Sequence, residues 1–571
     1  MTVKRSTAIY QRLLLLLITF AVGTSLGLGV PIESPSGQEA PQNRLEELED
    51  LSESLANDLL DLSRFTRSRN LSETAAFFTA QLMARPFPDQ PTSVKWKSKW
   101  IGAHGWTSTT SGQPEKVSRS RFLKGWSELL AHLCEIEDAR FKVNEASFST
   151  AADSNDFQGQ ARIDFYLIGR NCKGQREWIR GRSQTRVRKG QTSKRWQFDS
   201  FFFSSLESMV SRVDLFSEVS TPAGVAVDLP SYGSPGNDGF IWRGSAASDF
   251  NMDGWMDLFV TSGTRNYLYL NDHGKKFREI SEEVGIRDLA SGVAPVVFDA
   301  DNDGDKDVFI SAVGRQILLE NRLIPEGTMF FHDVSVEANV DVAAVGFSAT
   351  AGDVNGDSWP DIYVTSYNDY GRVTPDSWFR ATNGTPNLLF VNKGNGRFRE
   401  EAVRWGVQDR RWSYAASFVD INQDGRLDLY VVNDFGENGF FINQGTHFVD
   451  QAEQRGVSDP GNGMGVSFGD FNNDGLIDLH VTNMSSIAGK RILFRLFPGS
   501  TAEENVLIKL ASGNTLFENK GQGFYQDVTD EVGGLSAGWA WGGGFIDFDN
   551  DGWEDVYTPN GFISGQSMKD T

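Results

Sequence analysis

The chain of 571 residues carries 76 acidic and 54 basic side chains, a formal charge of −22, with only two cysteines and six histidines. His104, His132, His273, His332, His447 and His480 stand at no metal-ligand spacing, which argues against a zinc hydrolase built on local motifs. No cysteine closely follows the amino-terminal apolar run, so a lipoprotein cleavage box is excluded.

Lys4, Arg5 and Arg12 lead into LLLLLITFAV and then small residues through Gly29, the order of a secretory signal. The apolar run is short for a membrane span. Residues 1–30 therefore read as a signal peptide, cleaved in preference to being kept as an anchor. The protein is expected to be secreted, periplasmic or displayed at the cell surface, with no stable membrane span. Residues 31–92 read as a linker and an amphipathic helix. Asn43 with Glu46 forms a capping box, and Leu45, Leu48, Leu51, Leu55, Leu59 and Leu62 recur at helical spacing.

Residues 93–212 predict a basic α+β domain, because FKVNEASFST, ARIDFYLIG, REWIRGRSQTRVRK and RWQFDSFFF are four long strand-like segments after a helical start. The order resembles the curved-sheet fold of nuclear transport factor-like proteins, a likeness that carries no function. Residues 95–195 hold twenty Lys or Arg against ten Asp or Glu. Arg176, Arg180, Arg182, Arg186 and Arg188 fall at period two, on one face of one strand. That stripe either grips an anionic partner, or docks on acidic repeats, or is a solvated sheet face. Trp96, Trp100, Trp106 and Trp126 would allow stacking on nucleic acid, which export argues against. Cys134 and Cys172 either pair in an oxidising compartment or stay reduced and buried.

Six nine-residue loops then recur: DFNMDGWMD, DADNDGDKD, DVNGDSWPD, DINQDGRLD, DFNNDGLID and DFDNDGWED. Asp or Asn stands at positions one, three, five and nine, hard oxygens without His or Cys, at a spacing that wraps one calcium ion. The backbone carbonyl of position seven completes the protein ligands, so its side chain varies. The six candidate sites are Asp249, Asn251, Asp253, Trp255 and Asp257; Asp299, Asp301, Asp303, Asp305 and Asp307; Asp353, Asn355, Asp357, Trp359 and Asp361; Asp420, Asn422, Asp424, Arg426 and Asp428; Asp470, Asn472, Asp474, Leu476 and Asp478; and Asp547, Asp549, Asp551, Trp553 and Asp555. Position six is Gly except at Ser358, which weakens the third site. An EF-hand would need a bidentate Glu at position twelve, where Val260, Ile310, Val364, Val431, Val481 or Thr558 stands in a strand-like run. A lone copy would read as well as a metal-free Asp-Gly hairpin. Six copies in register, with twenty-two acidic residues in their windows, favour cations that neutralise the repulsion.

Small residues precede each loop at period two: Gly244, Ala294, Ser348, Ala415, Gly465 and Gly542, then Ala246, Val296, Thr350, Ser417, Ser467 and Gly544. They mark the crowded innermost strands of radial blades, where a free strand edge also tolerates Pro295. Phrases such as NKGNGRFREEAVRWGV supply a turn and an outer strand. Loop starts lie 50, 54, 67, 50 and 77 residues apart, near the period of a four-stranded blade. The fold class expected is mainly β, a β-propeller over residues 213–565 followed by a tail at 566–571. LFSEVSTPAGV from Leu215 resembles the outer-strand phrase and would close the ring, which leaves six or seven blades.

These repeats resemble FG-GAP or VCBS repeats and the integrin α-subunit propeller. With the DGWEDVYTPNGF ending they look most like the cartilage acidic protein and UnbV-like family over about residues 215–565. The resemblance implies calcium in the loops and an extracellular interaction scaffold. Many relatives continue into a further C-terminal domain beyond the point where this chain stops at Thr571.

GVSFG at Gly465–Gly469 matches a nucleophile elbow, but Ser417 holds the corresponding place in the fourth repeat, so register explains Ser467. Two insertions break the blade period, at 370–386 and 484–512. Trp378, Phe379, Arg380, Lys490, Arg491, Phe494, Arg495 and Phe497 give them interface-like content. Asn70, Asn383 and Asn483 stand in glycosylation sequons. The expected function is a secreted or surface calcium-binding scaffold, with up to six Ca2+ sites, that binds an extracellular protein or glycan through those insertions, without nucleic acid and without catalysis. The alternative is a secreted carbohydrate-active enzyme, a polysaccharide lyase or glycosidase, on the same propeller. A third reading has the N-terminal domain holding a small ligand.

Overall fold

The computed structural model describes residues 41–560, apart from 86, 88–90, 92, 107–111, 151–156, 191–194, 227–243, 263–264, 369–371, 498–504 and 534–536. The expected leader at 1–30 and the tail at 566–571 lie outside the described residues, as do the side chains of Asn43, Leu45 and Glu46, on which the capping box rests. The chain divides into two compact units, one built mainly from 218–486 and 502–563, the other from 32–217 with 487–501. No helix among the described residues is long and apolar enough to cross a membrane.

The smaller unit begins with α1 (Pro41–Arg67), whose leucine stripe explains its existence: Leu55, Leu59 and Leu62 are at most 1% exposed. Burying each contributes about 1.5–3 kcal/mol, far more than helix propensity alone could. Eight strands follow as one sheet: β1 (Phe78–Ala84), β2 (Ser93–Lys97), β3 (Ile101–Gly105), β4 (Glu115–Ser118), β5 (Leu133–Thr150), β6 (Phe157–Asn171), β7 (Arg176–Lys189) and β8 (Gln197–Ser211). Their order is β2-β3-β8-β7-β6-β5, with β1 bonded to β4 and, in parallel, to β8. Residues 78–84, expected in a linker, thus form a strand of this sheet. Register shifts at three places between β5 and β6 and two between β7 and β8 bend the long strands.

The helix α2 (Arg119–Leu130) packs Phe122 and Trp126 into rings from the sheet: Trp126 lies 6.0 Å from Phe141 and 5.8 Å from Phe165, and Phe122 lies 4.6 Å from Phe78. Trp106 and Trp126 are buried, so only Trp96 of the four tryptophans is well exposed. Cys134 and Cys172 form a disulfide at the open end of the β5–β6 pair.

The larger unit contains six successive antiparallel sheets. Their innermost strands are Ser245–Ser248, Ala294–Phe298, Ala343–Gly352, Ser413–Val419, Gly463–Gly469 and Gly544–Ile546. Blades one, two, four and five have four strands; Val313–Arg315 adds a fifth to the third, and the sixth shows two among the described residues. Neighbouring inner strands run close enough to require small residues. A Cβ on Gly465 would stand 3.1 Å from the Cα of Gly542, and one on Gly244 would stand 2.8 Å from the Cα of Ala294. Pro295 sits in an inner strand bonded on one side only. In the second repeat Asn321 and Phe331 pair across a connection that carries the short helical turn Leu323–Glu326.

Residues 215–225 form no strand; Ser220–Ala223 is a helical turn ending on Gly224 at φ +80°. A Cβ on Gly224 would approach the Phe277 carbonyl to 2.7 Å, as one on Gly456 would approach that of Tyr525 to 2.5 Å. The amino-terminal phrase therefore takes, against the first blade, the place that the fourth blade's outer turn takes against the fifth.

Candidate metal centres

All six loops join the innermost strand of a blade to its second strand. In the first, the Asp249 carboxylate accepts the amides of Asp253 (3.0 Å) and Gly254 (2.7 Å). Asn251 Oδ1 accepts the Asp253 amide at 3.2 Å, and Asp253 Oδ1 accepts that of Trp255 at 2.9 Å. The same four bonds recur in the second to fifth loops. Three of them recur in the sixth. Side chains thereby curl the backbone around positions one to seven.

Position nine does different work. Asp257, Asp307, Asp361, Asp428 and Asp478 are all at most 1% exposed. Each uses one oxygen for the amide of position two and the other for the Asn that ends the third strand, as Asp361 does for Val354 (2.9 Å) and Asn392 (2.8 Å). A carboxylate has about four lone-pair directions, so two amides leave room for a cation. Burial, reinforced by neighbouring carboxylates, pushes Asp307 up to about 8, Asp361 to about 7, and Asp428 and Asp478 to about 6, against the lowering effect of those amides. Such groups call for a proton or a positive charge.

The loops with Asp at position three gather the most charge: Asp299, Asp301 and Asp307, and likewise Asp547, Asp549 and Asp551, place carboxylate oxygens within 4.8 Å of one another. Asp549 Oδ1, at position three of the sixth loop, is buried and lacks any hydrogen-bond partner, a cost that a cation would remove. The donors are all oxygen, and the set fits a hard divalent ion.

Ser358 does not break the third loop. Its amide still donates to Asp353 at 2.7 Å, and its φ of +70° matches the left-handed glycines at position six elsewhere. Position seven is not free of constraint either: Trp255 lies on Gly274 and Trp359 on Gly394, so a Cβ on Gly274 would approach the Trp255 ring to 2.8 Å. Sequence reasoning saw the Asn of the hairpin turn but missed its second role. Asn321, Asn392 and Asn443 each donate across a blade boundary, to the carbonyls of Phe250 (3.2 Å), Ala300 (2.8 Å) and Val354 (2.8 Å), which are position two of the preceding blade's loop. Only the recurrence of Asn at the third strand's end hinted at this.

Elsewhere the sequence-based candidates separate. The arginine stripe is exposed on β7, but Arg176, Arg180, Arg182 and Arg188 pair with Glu137, Glu207, Asp164 and Asp199. Four of its five arginines thus have carboxylate partners within the sheet. In the 484–512 insertion, the helix α3 (Ile487–Leu496) belongs to the smaller unit, with Arg491, Ile492 and Leu493 buried. In the 370–386 insertion, Trp378 packs on Phe435 at 5.2 Å while Arg380 stays exposed and reaches Glu437 at 3.4 Å. Ser467 lies inside a strand, opposite His480, and not on a strand-to-helix turn. The sequon residue Asn483 is fully buried.

A family model described as FG-GAP-like repeat matches residues 249–310, 353–431 and 420–481. Cartilage acidic protein 1 of Homo sapiens is 26% identical over 232 residues, 36% of this chain and 32% of that one. Its Xenopus tropicalis counterpart is 24% identical over 227 residues, 36% of this chain and 33% of that one. The chain thus spans about a third of the length of the curated relatives it matches. A solved structure of an Agrocybe aegerita lectin, described by its recognition of non-reducing terminal N-acetylglucosamine, aligns at a TM-score of 0.31 and 12% identity over 84% of this chain and 99% of that one. That superposition is too loose to carry an argument.

Proposed function

From a chain that carries FG-GAP-like repeats in a β-propeller and is similar to cartilage acidic protein 1, we propose a secreted or surface-displayed calcium-binding scaffold that engages an extracellular protein or glycan. The observation that carries the calcium reading is the common hydrogen-bond scheme of the six loops, together with two clusters of three carboxylates within 4.8 Å and the buried, unpartnered Asp549 oxygen. The side chains at positions one, three, five and nine, with the carbonyl of position seven, would hold the ion. Calcium supplies the positive charge that makes so many adjacent carboxylates tolerable. Rigid loops in turn fix the blades that display the exposed part of the 370–386 insertion, around Arg380 and Thr382.

Thermal unfolding of the protein with millimolar calcium, with chelator, and with magnesium tests this. Calcium alone is expected to raise the midpoint by several degrees, because an ion bound only by the folded state stabilises it. Coincident calcium and chelator curves would remove the physical support for the reading.

A further inference from the structure

Beyond the cross-blade bonds of Asn321, Asn392 and Asn443, two of the loops are wired directly to a neighbouring loop through position four, and this wiring is uneven. Asn302, at position four of the second loop, donates its side-chain amide to the carbonyl of Ser358, position six of the third, at 3.0 Å. Asn473, at position four of the fifth loop, does the same to Gly552, position six of the sixth, at 2.8 Å. The other loops do not repeat this. Position four is Met252 in the first and Gly356 in the third, neither with a side-chain donor, while Gln423 and Asn550 make no such bond among the described residues.

Both ends of each bond belong to the ion-wrapping turn. Asn302 and Asn473 stand between ligand positions three and five, in the left-handed conformation at φ +55°. Closing positions three and five around an ion therefore fixes where the Asn side chain points. At the other end, the accepting carbonyl belongs to the peptide that joins positions six and seven, so the bond sets the plane from which the position-seven carbonyl, the backbone ligand, departs. Order in one loop is transmitted to the ligand geometry of the next.

Resting on the calcium reading of these loops, we propose that the second and third sites, and the fifth and sixth, load as coupled pairs, and that Asn302 and Asn473 are the positioning residues that carry the coupling. One exposed hydrogen bond gained or lost corresponds to a coupling of about fivefold in affinity, the low end of measured site-to-site couplings.

The test is calcium titration of the full chain followed by hydrogen exchange, which reads a midpoint for each loop separately. Asp357→Ala, which disables the third site, is expected to weaken the second loop's midpoint about fivefold and leave the fifth and sixth unchanged. Asn302→Gly keeps the left-handed turn but removes the donor, and is expected to abolish that linkage while both loops still bind. Asn473→Gly is expected to do the same for the fifth and sixth. Should Asp357→Ala fail to fold, the wild-type and Asn302→Gly titrations still decide: steeper, coincident midpoints for loops two and three must separate in the variant. Independent wild-type midpoints, or coupling that survives Asn302→Gly, overturn the inference and leave the calcium reading intact. Loops that calcium does not protect at all overturn both.

Discussion

The smaller unit depends on a charge cluster that can be removed one member at a time. Glu49 of α1 is 8% exposed and Arg491 of α3 is 5% exposed. The Glu49 carboxylate receives Arg491 Nε at 3.1 Å and Arg495 Nη1 at 2.8 Å, while Arg491 Nη1 reaches the Val143 carbonyl at 3.0 Å and Arg495 Nε that of Ala146 at 3.0 Å. Glu49→Gln preserves the volume but leaves two guanidinium groups out of water with no counter-charge. Breaking one side of a buried ion pair costs about 3–5 kcal/mol, and more than half of that cost is the stranded charge. With an m-value of about 2 kcal/mol/M, the urea midpoint of this unit should fall by about 2 M. The read-out is hydrogen exchange of peptides from 47–67 and 133–149 in increasing urea, which reports this unit and not the propeller. The triple change Glu49→Leu, Arg491→Met, Arg495→Met removes all three charges and should regain most of the loss, because apolar replacement of a whole buried cluster is close to neutral. A Glu49→Gln loss below about 1 kcal/mol, or a triple variant no more stable than the single one, would refute the reasoning. The same argument predicts that truncating 484–512 destabilises the smaller unit, so binding lost on truncation would not identify that segment as a contact surface.

Ser358→Gly should stabilise by about 0.5–1 kcal/mol, the relief of a left-handed serine less the greater freedom of unfolded glycine, measured as a rise in chemical midpoint at fixed calcium. Asn392 is 1% exposed and donates to the carbonyls of Ala300 and Pro360, so Asn392→Ala should cost about 2–3 kcal/mol by leaving those acceptors unpaired; a loss under half of that would count against the cross-blade role. Asp434, buried with Tyr367 and Asn462 as partners, is pushed up to about 6 by desolvation. Its folded value exceeds the unfolded one, so it favours the folded state below about pH 4 and that contribution is lost as pH rises to about 6. The stability difference between Asp434→Asn and wild type should therefore grow in the variant's favour by about 3 kcal/mol across that window and stay flat above it.

What could be read from the sequence was what the chain builds locally. The loops are legible because their defining bonds span two to five residues, so nine letters contain the whole instruction, and the left-handed position six shows as Gly in five of them, with Ser358 taking the same conformation in the third. The inner strands are legible because the blades crowd one face at period two, which leaves a pattern of small residues whatever the partner strand is. The α3 helix was not legible: Arg491 and Arg495 meet Glu49 more than 440 residues away, and neither end of that pairing has a period to announce it. Their Arg and aromatic content reads the same whether it faces a partner or the chain's own core. The β7 stripe fails in the same way, since its spacing gives the face but the carboxylates that neutralise it come from neighbouring strands. The hairpin Asn lies on the border. Its oxygen bond to Gly394 is local and visible, whereas the amide bond of Asn392 to Ala300 crosses 92 residues. It follows that likeness to other FG-GAP repeats transfers to this chain within the loops, where sequence alone dictates geometry. It does not transfer to surfaces, where burial by distant segments decides which residues a partner can reach. Arg380 and Thr382 of the 370–386 insertion are exposed, whereas Arg491, Ile492 and Leu493 of the 484–512 segment are buried.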